Sequence, residues 1–118
     1  MKKKVAQAFI GAWRIVEMEQ WDADYFDMDV PAYIMIRKDL TGEFQFGLVQ
    51  GELDGRVRTV DGLPCFEFSW SGFDENDPMS GRGWLRLDGD SAEGRIFIHL
   101  GDESAFVVER VVRAAGRN

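Results

Sequence analysis

Short runs that alternate apolar and polar residues, spaced closely and divided by compact turn signals, constrain this chain more than any other feature. Glu43 to Leu48 and Cys65 to Trp70 alternate with period two, and Arg95-Ile96-Phe97-Ile98-His99 is rich in β-forming residues. Turn signals separate them: Asp39-Leu40-Thr41-Gly42, Asp61-Gly62-Leu63-Pro64, Asp88-Gly89-Asp90 and Gly101-Asp102-Glu103-Ser104. No long stretch carries the i, i+3, i+4 repeat of an amphipathic helix. The pattern predicts eight strands, over 10–19, 31–38, 43–49, 52–60, 65–71, 82–88, 93–99 and 105–113. In the fourth, Asp54-Gly55 reads either as a hairpin tip or as a bulge inside a longer strand. The connection from Gln20 to Val30, with Trp21, Tyr25 and Phe26, reads as a helical turn or lid. Ser71 to Ser80, rich in Gly, Asp, Asn and Pro, reads as an exposed loop.

Eight successive antiparallel strands form a meander, and a meander of this length closes because closure removes both hydrogen-bonding edges. The expected fold is all-β: a single-domain, antiparallel up-and-down barrel over residues 1–118, with 1–8 and 114–118 as flexible termini. A length of 118 residues allows one domain. A hydrophobic fraction of 45% with 13% aromatics excludes a disordered chain, because that much apolar area offsets chain entropy. Lys2-Lys3-Lys4 begins like a signal peptide, but the apolar stretch after it is short, is broken by Gln7 and runs into Arg14. The expectation is a cytoplasmic protein with no membrane partner. The net charge of −7 and basic residues scattered among acids (Lys2 to Lys4, Arg56 with Arg58, and Arg110, Arg113, Arg117) argue against a nucleic-acid partner. One cysteine, Cys65, excludes an internal disulfide and a Cys-based zinc site. One histidine, His99, excludes a site built on two imidazoles.

The first strand carries Gly11-Ala12-Trp13 and the last carries Arg110. A G-x-W opening and an Arg in the closing strand resemble the calycin superfamily of lipocalins, fatty-acid-binding proteins and avidins. The resemblance implies that Trp13 plugs one barrel end and that Arg110 packs across it as a structural pair. The chain departs from each subfamily. It has no disulfide-forming pair, and its 20–30 segment is too short for a two-helix lid. Asn occurs only at Asn76 and Asn118, so the early amide of avidins is missing. Arg14-Ile15-Val16-Glu17 follows Trp13 where the haem-binding nitrobindins continue with glycines. The resemblance therefore carries a fold and no ligand.

Within a barrel, strand parity sorts the candidate residues. Glu17 and Glu19 share parity with Trp13 and face inward if the strand is regular, or outward if a bulge intervenes. Phe66, Phe68 and Trp70 are expected inside, with Cys65, Glu67 and Ser69 outside. Arg82, Trp84 and Arg86 share one face of strand six against Leu85 and Leu87. The Ser80-Gly81-Arg82-Gly83 turn is no P-loop, since no helix or Lys-Ser/Thr follows. Six acids between Glu17 and Asp29, and the Asp74, Glu75, Asp77 cluster, read as solvated loops and not as a metal site. His99, ending strand seven, reads as a hydrogen-bonded rim residue. No G-x-S-x-G is present, and Cys65 lies within a strand. A Glu17–Glu67 carboxylate pair would need both groups inside.

The expected function is non-catalytic binding of a small molecule or peptide in a cavity beside the 20–30 lid. Its candidate residues are Glu17, Glu19, Trp21, Tyr25, Trp70, Arg82, Trp84 and His99, with no cofactor and no metal. The alternative is a filled barrel that acts as a protein-interaction or homo-oligomerisation module. A third reading centres a haem or enzymatic role on His99.

Overall fold

The computed structural model describes residues 2–111. Eight antiparallel strands form one closed barrel in sequence order. They are β1 (Gly11–Met18), β2 (Tyr33–Ile36), β3 (Thr41–Phe46), β4 (Val49–Val60), β5 (Leu63–Asp74), β6 (Asp77–Asp88), β7 (Ser91–Ile98) and β8 (Glu103–Arg110). Pairing of β1 with β8 closes the ring, with Trp13 opposite Arg110. Residues 112 and 113, expected at the end of the last strand, and the 114–118 terminus lie outside the described residues. No described helix is long and apolar enough to cross a membrane.

Two segments differ from the sequence expectation. Lys2–Gln7, expected to belong to a flexible terminus, forms helix α1, and Phe9 just beyond it is fully buried and stacks on Phe66 at 5.8 Å. Ser71 to Ser80 is no loop: β5 and β6 run on to Asp74 and from Asp77, joined by the two-residue turn Glu75-Asn76. The loop-forming residues there serve the sheet. Gly72 is needed because a Cβ would sit 1.8 Å from the Gln50 carbonyl oxygen. Pro78 lies where β6 has no β7 neighbour, as pairing with β7 begins at Gly81, so its missing N–H leaves no ladder bond unmade. Asp54-Gly55 is neither tip nor bulge, since β4 pairs with β5 in unbroken register from Val49 to Val60.

The interior is filled by aromatic rings lying on glycines. A Cβ on Gly55 would meet the Phe66 ring at 2.2 Å, one on Gly51 the Phe44 ring at 2.6 Å, and one on Gly83 the Phe68 ring at 2.4 Å. Phe44 meets Trp70 edge-on at 5.0 Å and stacks on Phe46 at 6.0 Å. Alternating large and small residues across facing strands is how a small barrel reaches interior packing density.

Each barrel end has its own closure. At one end Trp13 is fully buried, with Phe9 beside it. At the other, helix α2 (Ala23–Phe26) folds over the mouth with Asp22 as its N-cap. Phe26 is buried and its carbonyl accepts from Gly47 N–H at 2.8 Å. Gly47, at φ +58°, supplies a left-handed turn and leaves room for the Tyr25 ring, which a Cβ would meet at 2.4 Å.

Candidate functional site

The structure divides the eight candidate residues between three places. Trp21, Tyr25 and Trp70 gather at the α2 end, with Trp21 5.1 Å from Phe46 and 6.1 Å from Tyr25. Burial, above all, shifts the Tyr25 hydroxyl up. These three side chains belong to the packed core and its lid. His99 is exposed on the β7–β8 turn, where its backbone N–H donates to the Ser80 carbonyl at 2.7 Å.

Glu17, Glu19, Arg82 and Trp84 are on the outer wall, not in the interior. For the glutamates the cause is a β-bulge. The β1–β8 register shifts between Ile15 and Glu17, so Val16 and Glu17 are both exposed and Met18 turns inward. Glu19 then accepts from Arg95 at 3.3 Å and from Ala105 N–H at 3.2 Å outside the sheet. For β6 the cause is parity. Gly83 and Leu85 take the buried positions, leaving Arg82 exposed and Trp84 half-buried on the outer surface. A carboxylate pair of Glu17 with Glu67 is excluded inside the barrel, because both face outward.

On this outer wall the cross-strand register builds an array. Arg56 of β4 faces Glu67 of β5, which faces Trp84 of β6, which faces Arg95 of β7. One step along, Asp54 faces Ser69, which faces Arg82, which faces Phe97. Arg56, Arg58, Arg82, Arg86 and Arg95 thus share one face with Trp84 and Phe97. Arg56 and Arg58, counted above among scattered basic residues, are joined here by Arg82, Arg86 and Arg95, with aromatics between them. Arg86 lies 5.4 Å from the Trp84 ring centroid, and its Nε is buried with no hydrogen-bond partner among the described residues.

A groove of about 390 Å³ opens in this array over the short side chain of Ser69. Arg56, Arg58 and Asp54 stand on one side, Trp84 and Phe97 on the other, and Arg82 beside them. Across the Trp84 side chain lies a second groove of about 240 Å³, lined by Glu17, Glu19, Glu93 and Arg95. A larger groove of about 740 Å³ on the β3–β6 wall, bordered by Gln50, Glu52 and Phe73, is lined by no basic side chain. Size alone would favour that one. Of these three grooves, the one over Ser69 combines several cations, a hydroxyl and aromatic faces, so the candidate site is placed there.

Charge on the face is unevenly spent. Glu67 lies opposite Arg56 yet pairs with the diagonal Arg58 at 3.2 Å. Arg95 pairs with Glu19 and Glu103 at 3.3 and 3.1 Å. Arg56 and Arg82 make no ion pair among the described residues. Burial, followed by the nearby Glu67 charge, pushes the Cys65 thiol up, which disfavours the thiolate a nucleophile needs. Among the described residues no group of three or more His, Cys, Asp or Glu side chains is placed to hold a metal ion.

Sequence reading missed Arg56, Arg58, Ser69 and Phe97 as members of a site. A signal was present, since all of them have outward parity. Joining them required the register between strands. No family description matches the chain, and no curated protein resembles it in sequence.

Proposed function

We propose that the chain is a non-catalytic interaction module whose interior is structural and whose binding surface is the outer face of β4–β7. The observation that carries this reading is the contrast between inside and outside. Rings pressed on Gly51, Gly55 and Gly83 fill the barrel, whereas Trp84 and three arginines, Arg56, Arg58 and Arg82, lie around an open groove. Aromatic and arginine side chains are the residue types that contribute most energy at protein interfaces. A photo-crosslinking residue at position 84 is expected to capture a partner in the producing cell, and one at the exposed Val16 of β1 to capture none. Equal capture at both positions would overturn the assignment of this face.

A second reading, a small molecule held within the barrel, is favoured by one observation. Trp70 Nε1 is buried in the interior without an acceptor among the described residues, and a buried N–H ordinarily finds one. Native mass spectrometry of the purified protein separates the two: the interaction reading expects the bare chain mass, the interior-ligand reading a heavier species.

A further inference from the structure

We infer that the groove over Ser69 receives an acidic segment of a partner protein, one carboxylate of which is held jointly by Arg56 and Arg82. This rests on the reading of the outer β4–β7 face as the binding surface, and it adds the chemistry of the occupant. Arg56 and Arg82 flank β5 from opposite sides, at the adjacent outward positions marked by Glu67 and Ser69. Two strand spacings and a two-residue stagger put their backbones roughly 12 Å apart, a gap that two arginine side chains close over a single carboxylate. Ser69 lies between them and is exposed, so its hydroxyl adds a third donor. Among the described residues neither guanidinium makes an ion pair, in a chain with 21 acidic against 14 basic residues: Glu67, opposite Arg56, is taken by Arg58, and Asp54 shares the groove without pairing with either. Two planar donors left open on one groove are matched to a carboxylate from outside the chain.

The groove also indicates what accompanies the carboxylate. Trp84 and Phe97 form one wall, half-exposed, and offer area to an aromatic or aliphatic neighbour on the same segment. Asp54 stands in the same groove and repels a second anion placed against it. A nucleic-acid backbone fits poorly here. It carries a charge at every nucleotide, and this face intersperses Asp54, Glu67, Glu93 and Glu103 among its arginines on a chain of net charge −7. Peptide carboxylates can be spaced to meet the two open arginines and avoid the acids.

The test uses the purified full chain and fluorescence anisotropy at low salt. The probes are a labelled peptide of alternating Glu and Phe, its Gln-for-Glu counterpart, and labelled oligo(dT). The Glu peptide is expected to bind and the Gln peptide not to. Arg56→Gln and Arg82→Gln should each weaken Glu-peptide binding about fivefold or more, with partial recovery in the Lys variants. Trp84→Ala should weaken it too, and Asp54→Asn should strengthen it. Arg14→Gln, on β1, is expected to leave it unchanged. Both groove arginines are exposed, so thermal melting of their variants should match the parent. Equal binding of the Gln peptide, arginine variants without effect, tighter binding of oligo(dT), or no binding of any probe would each overturn the acidic-segment proposal. None of these outcomes decides the crosslinking contrast between positions 84 and 16, on which the interaction reading stands separately.

Discussion

The guanidinium of Arg110 lies 4.2 Å from the centroid of the Trp13 ring, while its Nη1 and Nη2 donate to the carbonyls of Ile10 and Ala8 at 3.3 and 2.6 Å. Trp13 in turn donates from Nε1 to the Phe9 carbonyl at 3.0 Å. One ion from the last strand thus covers the plug of the first strand and satisfies the chain end that leaves α1. Carbonyls at the end of a helix have no partner within it, and a cation there meets both that need and the helix dipole.

Trp13→Ala is expected to destabilise the protein by about 3–5 kcal/mol in urea unfolding, because it empties the closed end. Arg110→Ala should cost about 1–3 kcal/mol, since it leaves the Ala8 and Ile10 carbonyls unpaired. The double variant should fall short of the sum, as the two side chains touch. Full additivity would contradict the stacked geometry.

The glycines under the rings give a second expectation. Gly55→Ala forces a Cβ against Phe66 and should cost about 1–3 kcal/mol through overpacking. Gly89→Ala meets nothing within 4 Å but sits at φ +66°, so its cost should be about 1–2 kcal/mol of backbone strain alone. Packing and backbone costs separate on adding a second change: Phe66→Leu should relieve the first variant and leave the second untouched.

Tyr33 should make the protein sensitive to alkali. Its hydroxyl, 2.7 Å from Glu43 Oε2, is pushed from 10.0 up to about 12, first by burial, then by the hydrogen bond to Glu43 and its charge. A folded-state value above the unfolded one means the folded chain holds its proton longer. The associated stability is fully present below pH 10 and is lost as pH rises toward about 12. Tyr33→Phe should flatten that fall. Both tyrosines are raised, and ultraviolet difference titration of the folded protein should show a transition near pH 12 that the variant lacks.

The acidic segment separates into structural and solvated carboxylates. Asp27 accepts from Ala32 N–H at 2.8 Å and pairs with Arg14 at 3.5 Å, and Asp29 accepts from Gln45 at 2.8 Å. Asp27→Ala should therefore cost about 1–2 kcal/mol. Asp24 is exposed and makes no side-chain bond among the described residues, so Asp24→Asn should stay within about 0.5 kcal/mol. Chemical denaturation of the two variants side by side checks both values.

Alternation of apolar and polar residues was enough to specify eight strands and, through the cost of open edges, a closed meander. That information is local: each run declares its period within a few residues, and Asp61-Gly62, with both φ angles positive, declares a tight hairpin. Facing was legible only where the period stayed unbroken. It held for Phe66, Phe68 and Trp70, and stayed open between inward and outward for Glu17 and Glu19, because the one extra residue at the β1 bulge is invisible in a sequence that alternates on both sides of it. The filled interior was not legible either. Whether a glycine in a strand is a bulge, a loop or the seat of a ring depends on the residue across the sheet, as Gly55 under Phe66 shows. The outer array of Arg56, Arg82 and Trp84 depends on register across four strands. Two-residue turns at 61–62, 75–76 and 89–90 set that register, and the middle one lies in a stretch whose composition reads as loop. Period is a property of neighbours in the chain. Register is a property of neighbours in the sheet, and only the folded structure supplies it.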